Sequence, residues 1–331
     1  MIRATAPGRV NLIGDHTDYT GGLVLPMAVD MATVVEAEPG GASIELDSHE
    51  MEGHVSVPLP ARHDPSMLPA WGRYVAAVAE LVSPSAGIEG TVSTDIPVGG
   101  GLSSSAALEI AVALALGAPL DPVPLAQLCR RAENTATGVP TGIMDQLCIM
   151  SAEAGSATLI DCDSLAVTMV PVPDDVIITV RFVEHRTLAG SAYADRVAEC
   201  ARAEAEIGPL RHAAVADTAR ITDPAVRARA RHVVTENDRV RRFADALVRG
   251  DWVLAGTLMT ESHRSLSGDY AVSTPGMDAA VHGTLALPGV LGARMTGGGF
   301  GGCIVSLSLP GSDVPGRRVR PSAGADVVTL P

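Results

Sequence analysis

Short runs of alternating apolar and polar residues open the chain and give way to longer helical periodicities. Thr33–Glu36 and Ala42–Leu46 alternate between turn residues as strands do. Helical spacing follows over Trp71–Leu81, Ser105–Leu116 and Leu125–Thr135. Pro140–Asp145 reads as a loop entering a further helix, and Ala157–Asp161 and Val176–Phe182 read as strands. Between those strands lies Pro171-Val172-Pro173-Asp174-Asp175, a proline- and acid-rich break. It predicts a boundary between one domain over residues 1–172 and a second over 173–331. In the second half, Ser191–Ile207 predicts a long amphipathic helix, and Pro224–Arg249 carries the dense Arg/Glu pattern of solvated helical faces. Gly289–Leu307 is a glycine-rich loop flanked by strand-like sequence. Strands and helices mix in both halves without a regular βαβ series, so the predicted class is α+β.

Composition narrows the function. Of 331 residues, 47% are hydrophobic, 19% charged and only 3% aromatic, so Ala, Val and Leu must fill the core. A net charge of −14 argues against nucleic acid as the main partner. No run approaches the ~20 apolar residues of a membrane span. Five scattered cysteines without a Cys-x-x-Cys pair, and no secretion-type N-terminus, read as reduced thiols in the cytoplasm. The histidines form no His-x-x-x-His cluster, which makes a zinc site a poor expectation. There is no lysine; all 24 basic residues are arginine.

Four segments carry candidate chemistry. Val98–Leu108, Val-Gly-Gly-Gly-Leu-Ser-Ser-Ser-Ala-Ala-Leu, runs three glycines into three serines at the start of an apolar helix. Glycines permit close backbone approach, and the free amides and dipole of a helix start attract anions such as phosphate. The alternative is a tight turn and an ordinary cap. No Gly-Lys-Ser/Thr follows, so this is not a Walker A loop. Pro7–Tyr19 crowds Arg9, Asp15, His16, Asp18 and Tyr19 between apolar runs, which suits either a pocket for a polyhydroxylated ligand or an ion-pair network bracing a loop. Thr141–Gln146 places Asp145 twelve residues after Glu133. Asp145 suits a helix cap, a general base or a hydroxyl-orienting acid, and Glu133 a hard-oxygen ligand for magnesium. Arg294–Gly302 sets five glycines around one phenylalanine, a backbone that must pass tightly against something.

Together these segments resemble the galactokinase-like branch of the GHMP kinase superfamily. Gly8–Tyr19 looks like its sugar signature, Gly99–Leu108 like the ATP motif and Ala293–Gly302 like the third motif. The likeness continues through Gly138–Gln146, Ile160–Cys162, His232–Val240 and Ser262–Asp278, so it covers nearly the whole chain. The resemblance implies an N-terminal domain like ribosomal protein S5 domain 2, a ferredoxin-like C-terminal domain and a site between them. It implies an ATP-dependent, Mg2+-requiring kinase that phosphorylates the anomeric hydroxyl of galactose or a close relative, with another sugar or a cyclitol as the alternative. Asp145 would be the catalytic base and Arg9 the stabilising cation beside it. Ser105 and Glu133 would be the metal ligands, with Gly99, Gly100, Gly101, Leu102, Ser103, Ser104 and Ser105 around the ATP phosphates. Asp15, His16, Thr17, Asp18 and Tyr193 would contact the sugar. A non-catalytic sensor of sugar and ATP is disfavoured because the Ser105-Ala106 pair is present.

The sequence departs from the family pattern at two positions and in one connection. Asp15 stands where the pattern has Glu, which retracts the carboxylate by about 1.5 Å, one C–C bond. Thr20 replaces the usual Asn. Between Cys303–Leu309 and Arg318–Thr329 a short Pro/Gly-rich connection replaces an amphipathic helix. The expectation is that this face is covered by a second subunit, as in a homodimer, or left exposed.

Overall fold

The computed structural model describes residues 1–185 and 189–331. In chain order its elements begin with strands β1 (Ile2–Ile13), β2 (Leu23–Pro39), β3 (Ser43–Ser48) and β4 (Val55–Pro58). Helix α1 (Gly72–Val82), strand β5 (Ile88–Thr94) and helices α2 (Ser104–Ala115), α3 (Pro122–Thr137) and α4 (Met144–Ser151) follow. Next come β6 (Ser156–Asp161), β7 (Val167–Pro171), β8 (Ile177–Glu184), α5 (Ala189–Ile207), α6 (Pro224–Arg249) and α7 (Trp252–Gly268). The chain ends with α8 (Pro275–Leu285), β9 (Val290–Thr296), β10 (Gly302–Ser308), β11 (Arg317–Val319) and β12 (Asp326–Thr329).

The first sheet runs β12-β1-β2-β5-β3-β4, with β6 joined to the inner end of β2 and β7 to β6. All its pairings are antiparallel except β3 with β5. The outer half of β2 alternates, burying Met31, Thr33, Val35 and Ala37, and this is the run the pattern predicts. The inner half, Val24 to Val29, is buried at every position because both faces are covered. Continuous burial erases the period-two signal. Strand β1 does the same from Ala6 to Ile13, so Arg9 and Asn11 sit on a buried strand rather than a loop. Helix α2, buried at every residue from Ala106 to Ala115, is the central helix over this sheet, as its all-round apolar sequence requires.

The second sheet is antiparallel, in the order β11-β8-β10-β9. Helix α6 begins where its sequence signals say: Pro224 at the first turn, Asp223 accepting from the N–H groups of Ala225 and Val226, and Gly250 closing it in the left-handed region. Among the described residues no helix is long and apolar enough to cross a membrane.

Residues 309–316 join β10 to β11 without a helix. The face this leaves is nonetheless covered from within the chain. Strand β10 is buried at every position. Cys303, Val305 and Leu307 join the core that contains Val170, Ile178 and Val180, while Ile304 joins the one that contains Met277 and Met295. The tail then returns to the first sheet, where β12 pairs with β1 and Pro321 bridges Val29. Without that helix, β10 is still buried within the chain itself, so the short connection does not leave this strand exposed.

Helix α7 crosses β9 at a glycine–glycine contact. A methyl group at Gly256 would come within 2.1 Å of the Leu291 carbonyl oxygen, and one at Gly292 within 2.2 Å of the Gly256 carbonyl. Gly256→Ala should therefore destabilise the protein by about 2 kcal/mol net, overpacking outweighing the ~1 kcal/mol of helix propensity that alanine adds. Urea unfolding of the variant measures this; equal or higher stability would show that the helix can slide.

Candidate active site

A cavity of about 750 Å3 opens where the two halves meet, lined by β1 and the loop after it, the glycine loop before α2, and Gly297–Gly299 from the β9–β10 turn. The size suits a small-molecule site. At its floor Arg9 reaches from β1 to Asp145 in the first turn of α4. Nε donates to Oδ1 at 2.7 Å, Nη2 to Oδ2 at 2.7 Å, and Nη1 to the Gly101 carbonyl at 2.7 Å. Burial opposes the charge on Arg9, but contact with Asp145 more than offsets it, so the guanidinium's pKa stands above its ordinary value. Asp145 remains partly open to the cavity, whereas Arg9 is buried. The Ser103 hydroxyl also donates to Oδ2 of Asp145.

Gly99 and Gly101 take positive φ (73° and 83°), turning the loop so that Gly99, Gly101, Ser103, Ser104 and Ser105 line the cavity. In α2 the first backbone acceptor, Ser103 O, takes the Ala107 N–H, which leaves the amides before it without an intrahelical partner. Ser105 Oγ donates to Glu133 Oε1 at 2.8 Å. Glu133 Oε2 accepts from Thr141 at 3.1 Å and from Gln146 Nε2 at 2.9 Å, and the same Gln146 amide reaches Glu109 Oε2 at 3.2 Å. Burial and the nearby Asp145 charge push the Glu133 pKa up. Beyond this point the cavity wall is apolar, with Trp71, Tyr74, Met51 and Leu108; Trp71 Nε1 donates to the Glu52 carbonyl at 3.2 Å.

The other end is aromatic and acidic. His16, in the left-handed region at φ 65°, stacks within 4.8 Å of the Tyr270 ring and 5.4 Å of Tyr193, and its Nδ1 meets Tyr19 Oη at 2.9 Å. Three of the chain's four tyrosines gather here. Asp18 lies against Gly142, where a methyl group would come within 1.8 Å of its Oδ2. Burial, then the Asp145 charge, raises the Asp18 carboxyl to about 7. Asp15 pairs through Oδ2 with Arg294 Nη2 at 2.5 Å and accepts the Gly297 N–H on Oδ1 at 3.1 Å. Arg294 is fully buried and Asp15 is 1% exposed.

Family models agree with this geometry. Residues 2–39 match the galactokinase galactose-binding signature, residues 73–153 the N-terminal domain of the GHMP kinases, and residues 243–315 their C-terminal domain. A galactokinase of Bos taurus is 43% identical, with 92% of this chain and 83% of that protein covered. One of Homo sapiens is 42% identical over the same shares. The chain belongs to the galactokinase family. A solved Lactococcus lactis galactokinase complexed with galactose superposes with a TM-score of 0.87 at 29% identity, covering 98% of this chain and 95% of that one. A mevalonate kinase at 20% identity and a TM-score of 0.68, covering 96% and 98%, shares the fold. The architecture is thus the α+β GHMP kinase fold that the resemblance implies.

Within this galactokinase-family site, most of the residues singled out in the sequence converge. Arg9, Asp15, His16, Asp18, Glu133, Asp145 and Tyr193 all line the one cavity. Three do not, and each has a reason. Thr17 is fully buried, and its hydroxyl is spent on the Gly14 and Leu23 carbonyls at 2.9 and 2.7 Å, bracing the loop. Leu102 is 2% exposed; its carbonyl takes the Arg9 N–H at 3.1 Å. Gly100 is buried toward Pro97 and Cys303. Sequence reasoning also passed over Arg294, although it opens the third motif. The signal was a lone arginine before five glycines.

The Asp15–Arg294 pair joins the first strand region to β9 with both partners out of water. Asp15→Asn should cost about 3–5 kcal/mol of stability, because it leaves a buried guanidinium unpaired. Thermal and urea unfolding test this; a loss below about 1 kcal/mol would mean that the pair is not held as described.

Proposed function

We propose that the protein is an ATP-dependent galactose 1-kinase that transfers the γ-phosphoryl group of ATP to the anomeric hydroxyl of galactose, giving galactose 1-phosphate and ADP. The observation that carries this reading is the placement of the Arg9–Asp145 pair in the same cavity as the open N-terminus of α2, in a chain of the galactokinase family. Phosphoryl transfer needs in-line positioning and charge stabilisation more than covalent help. The amides at the start of α2 and the glycine loop would hold the phosphates. Trp71, Tyr74 and Met51 would wall the nucleobase. The sugar would lie on the His16–Tyr193 aromatic face, with Asp18 accepting one of its hydroxyls and Asp15 holding the Gly297–Gly299 loop against it.

Asp145 would take the proton of the anomeric hydroxyl as that oxygen attacks the γ-phosphorus and the β–γ bridging bond breaks to release ADP. Arg9, always charged, cannot accept the proton; it fixes both oxygens of Asp145 and offsets developing negative charge. Ser105 Oγ and Glu133 Oε1 form an oxygen pair of the kind Mg2+ accepts, since that ion takes one or two protein ligands and completes its shell with water and phosphate. When bound, Mg2+ would neutralise phosphate charge. The shortened Asp15, already occupied by Arg294 and Gly297, favours a second reading in which the acceptor differs from galactose at its far substituent.

ADP release with Mg-ATP, measured across galactose, its deoxy and amino analogues and cyclitols, tests both readings. Galactose turnover that falls about 10^3-fold in Asp145→Asn is expected, the usual scale for loss of a general base. Turnover within tenfold of wild type in that variant would remove Asp145 from the chemistry, and turnover confined to another polyol would select the second reading. Because the Asp18 carboxyl titrates at about 7, galactose affinity should rise about tenfold from pH 6 to pH 8 as the hydrogen-bond-accepting carboxylate forms. Asp18→Asn should flatten that profile; calorimetry over this range in which the variant keeps the wild-type slope would assign the titration elsewhere.

A further inference from the structure

Ser103 stands where a serine normally caps a helix, immediately before α2, yet its side chain makes no capping bond. Its backbone is left-handed, at φ 61° and ψ 42°, a region that a residue with a β-carbon rarely enters. Gly99 and Gly101 in the same loop also have positive φ, and at both the sequence supplies glycine. At Ser103 a side chain is retained against that preference. The residue is 7% exposed, and its hydroxyl goes to Oδ2 of Asp145. A strained conformation kept for one side-chain contact is the usual mark of a functional constraint. The contact also has a structural consequence: by leaving the cap unmade, it keeps the first amides of α2 available to an anion.

We propose that Ser103 is a positioning residue that ties the phosphate loop to Asp145, so that filling the loop with nucleotide orders the carboxylate and raises affinity for the acceptor sugar. The inference rests on the reading of Asp145 as the base. Arg9 holds both carboxylate oxygens from the β1 side; Ser103 holds Oδ2 from the loop side. The loop and the carboxylate therefore cannot move independently while the serine hydroxyl bridges them. Two ligands that each order the same element bind with positive cooperativity, and the coupling is reciprocal.

The test is calorimetric titration of galactose, alone and with Mg2+ and the nonhydrolysable analogue AMP-PNP, for wild type, Ser103→Ala and Ser103→Gly, alongside steady-state turnover. Wild type should bind galactose about tenfold more tightly with AMP-PNP present, within the usual range of such coupling. Both variants should reduce that factor below about twofold and lower kcat by roughly ten- to a hundredfold. Galactose affinity without nucleotide should stay within about threefold of wild type in both. Glycine separates the hydroxyl from the backbone, because it is at ease in the left-handed region. Wild-type coupling and turnover in Ser103→Gly would overturn the proposal and leave only a loop-shape role. Weaker AMP-PNP binding in the absence of sugar, with coupling retained, would also overturn it in favour of a direct phosphate contact. So would a wild-type coupling factor below twofold. An active Asp145→Asn variant would instead sink the reading of the base on which the proposal stands.

Discussion

Arg9 and Asp145 meet through two oxygens and two guanidinium nitrogens, and the third nitrogen of Arg9 holds the Gly101 carbonyl. Its backbone N–H is bonded to Leu102 O. One buried residue therefore sets the positions of β1, the glycine loop and the first turn of α4 relative to one another. Buried ion pairs contribute little net stability, since desolvation consumes most of the attraction, whereas breaking one is costly. The pair is therefore better understood as a constraint on geometry than as a source of stability. It aims a carboxylate into the cavity, and it lets a charged residue sit on a strand whose neighbours are all buried.

The opposite end of the cavity is fixed by the second half of the chain. Helix α6 reaches into the loop after β1 at three points. Glu236 accepts the Gly14 N–H at 3.0 Å, Asn237 accepts the Leu23 N–H at 2.7 Å, and His232 Nε2 donates to the Asp15 carbonyl at 3.1 Å. Because a carbonyl can only accept, His232 carries its proton on Nε2, and Nδ1 accepts from Ser265. Burial keeps this histidine neutral, with a pKa near 4. Glu236 is held near 2: burial opposes its charge, but Arg239 at 2.6 Å and the charges around it prevail. The loop after β1 is thus clamped by buried hydrogen-bonded groups of α6, while the loop before α2, which would hold the phosphates, is built from glycines and free amides. That division suits a site in which one ligand needs recognition of hydroxyl geometry and the other needs a pliant anion cradle.

Local signals carried much of this into the sequence, and tertiary covering hid the rest. Helix α6 spans the residues its Pro start and Gly stop predict, and α1, α2 and α3 begin and end within a few residues of their periodic runs. Inner β2 and most of β1 were illegible as strands because both faces are buried and the alternation disappears. Arg9 and Asp145 could be named from their motifs, but their contact across 136 positions is set only by the fold. Thr17 shows the converse. It sits within a run of site residues, yet a β-branched hydroxyl in a tight loop was claimed by two backbone carbonyls. Sequence order can suggest that neighbours share a site; it cannot say which way each side chain turns.

Charge limits what the cavity can hold. Among the described residues that line it there is one arginine, Arg9, and there are five acids: Asp15, Asp18, Glu52, Glu133 and Asp145. Arg294 offsets Asp15 and Arg9 offsets Asp145, so the remaining acids give the cavity a negative field. A chain without lysine has no flexible ammonium to send to a triphosphate. For the proposed nucleotide, positive potential would come from the helix dipole and amides of α2 and from the divalent cation that Ser105 and Glu133 would hold. The raised pKa of Glu133, which follows from its burial and from Asp145, means that its charged form is held at a cost while no cation is nearby. A cation would remove that cost. Nucleotide and metal would therefore enter this site as one electrostatic unit, each making the other's binding affordable in a cavity whose own charge repels the nucleotide alone.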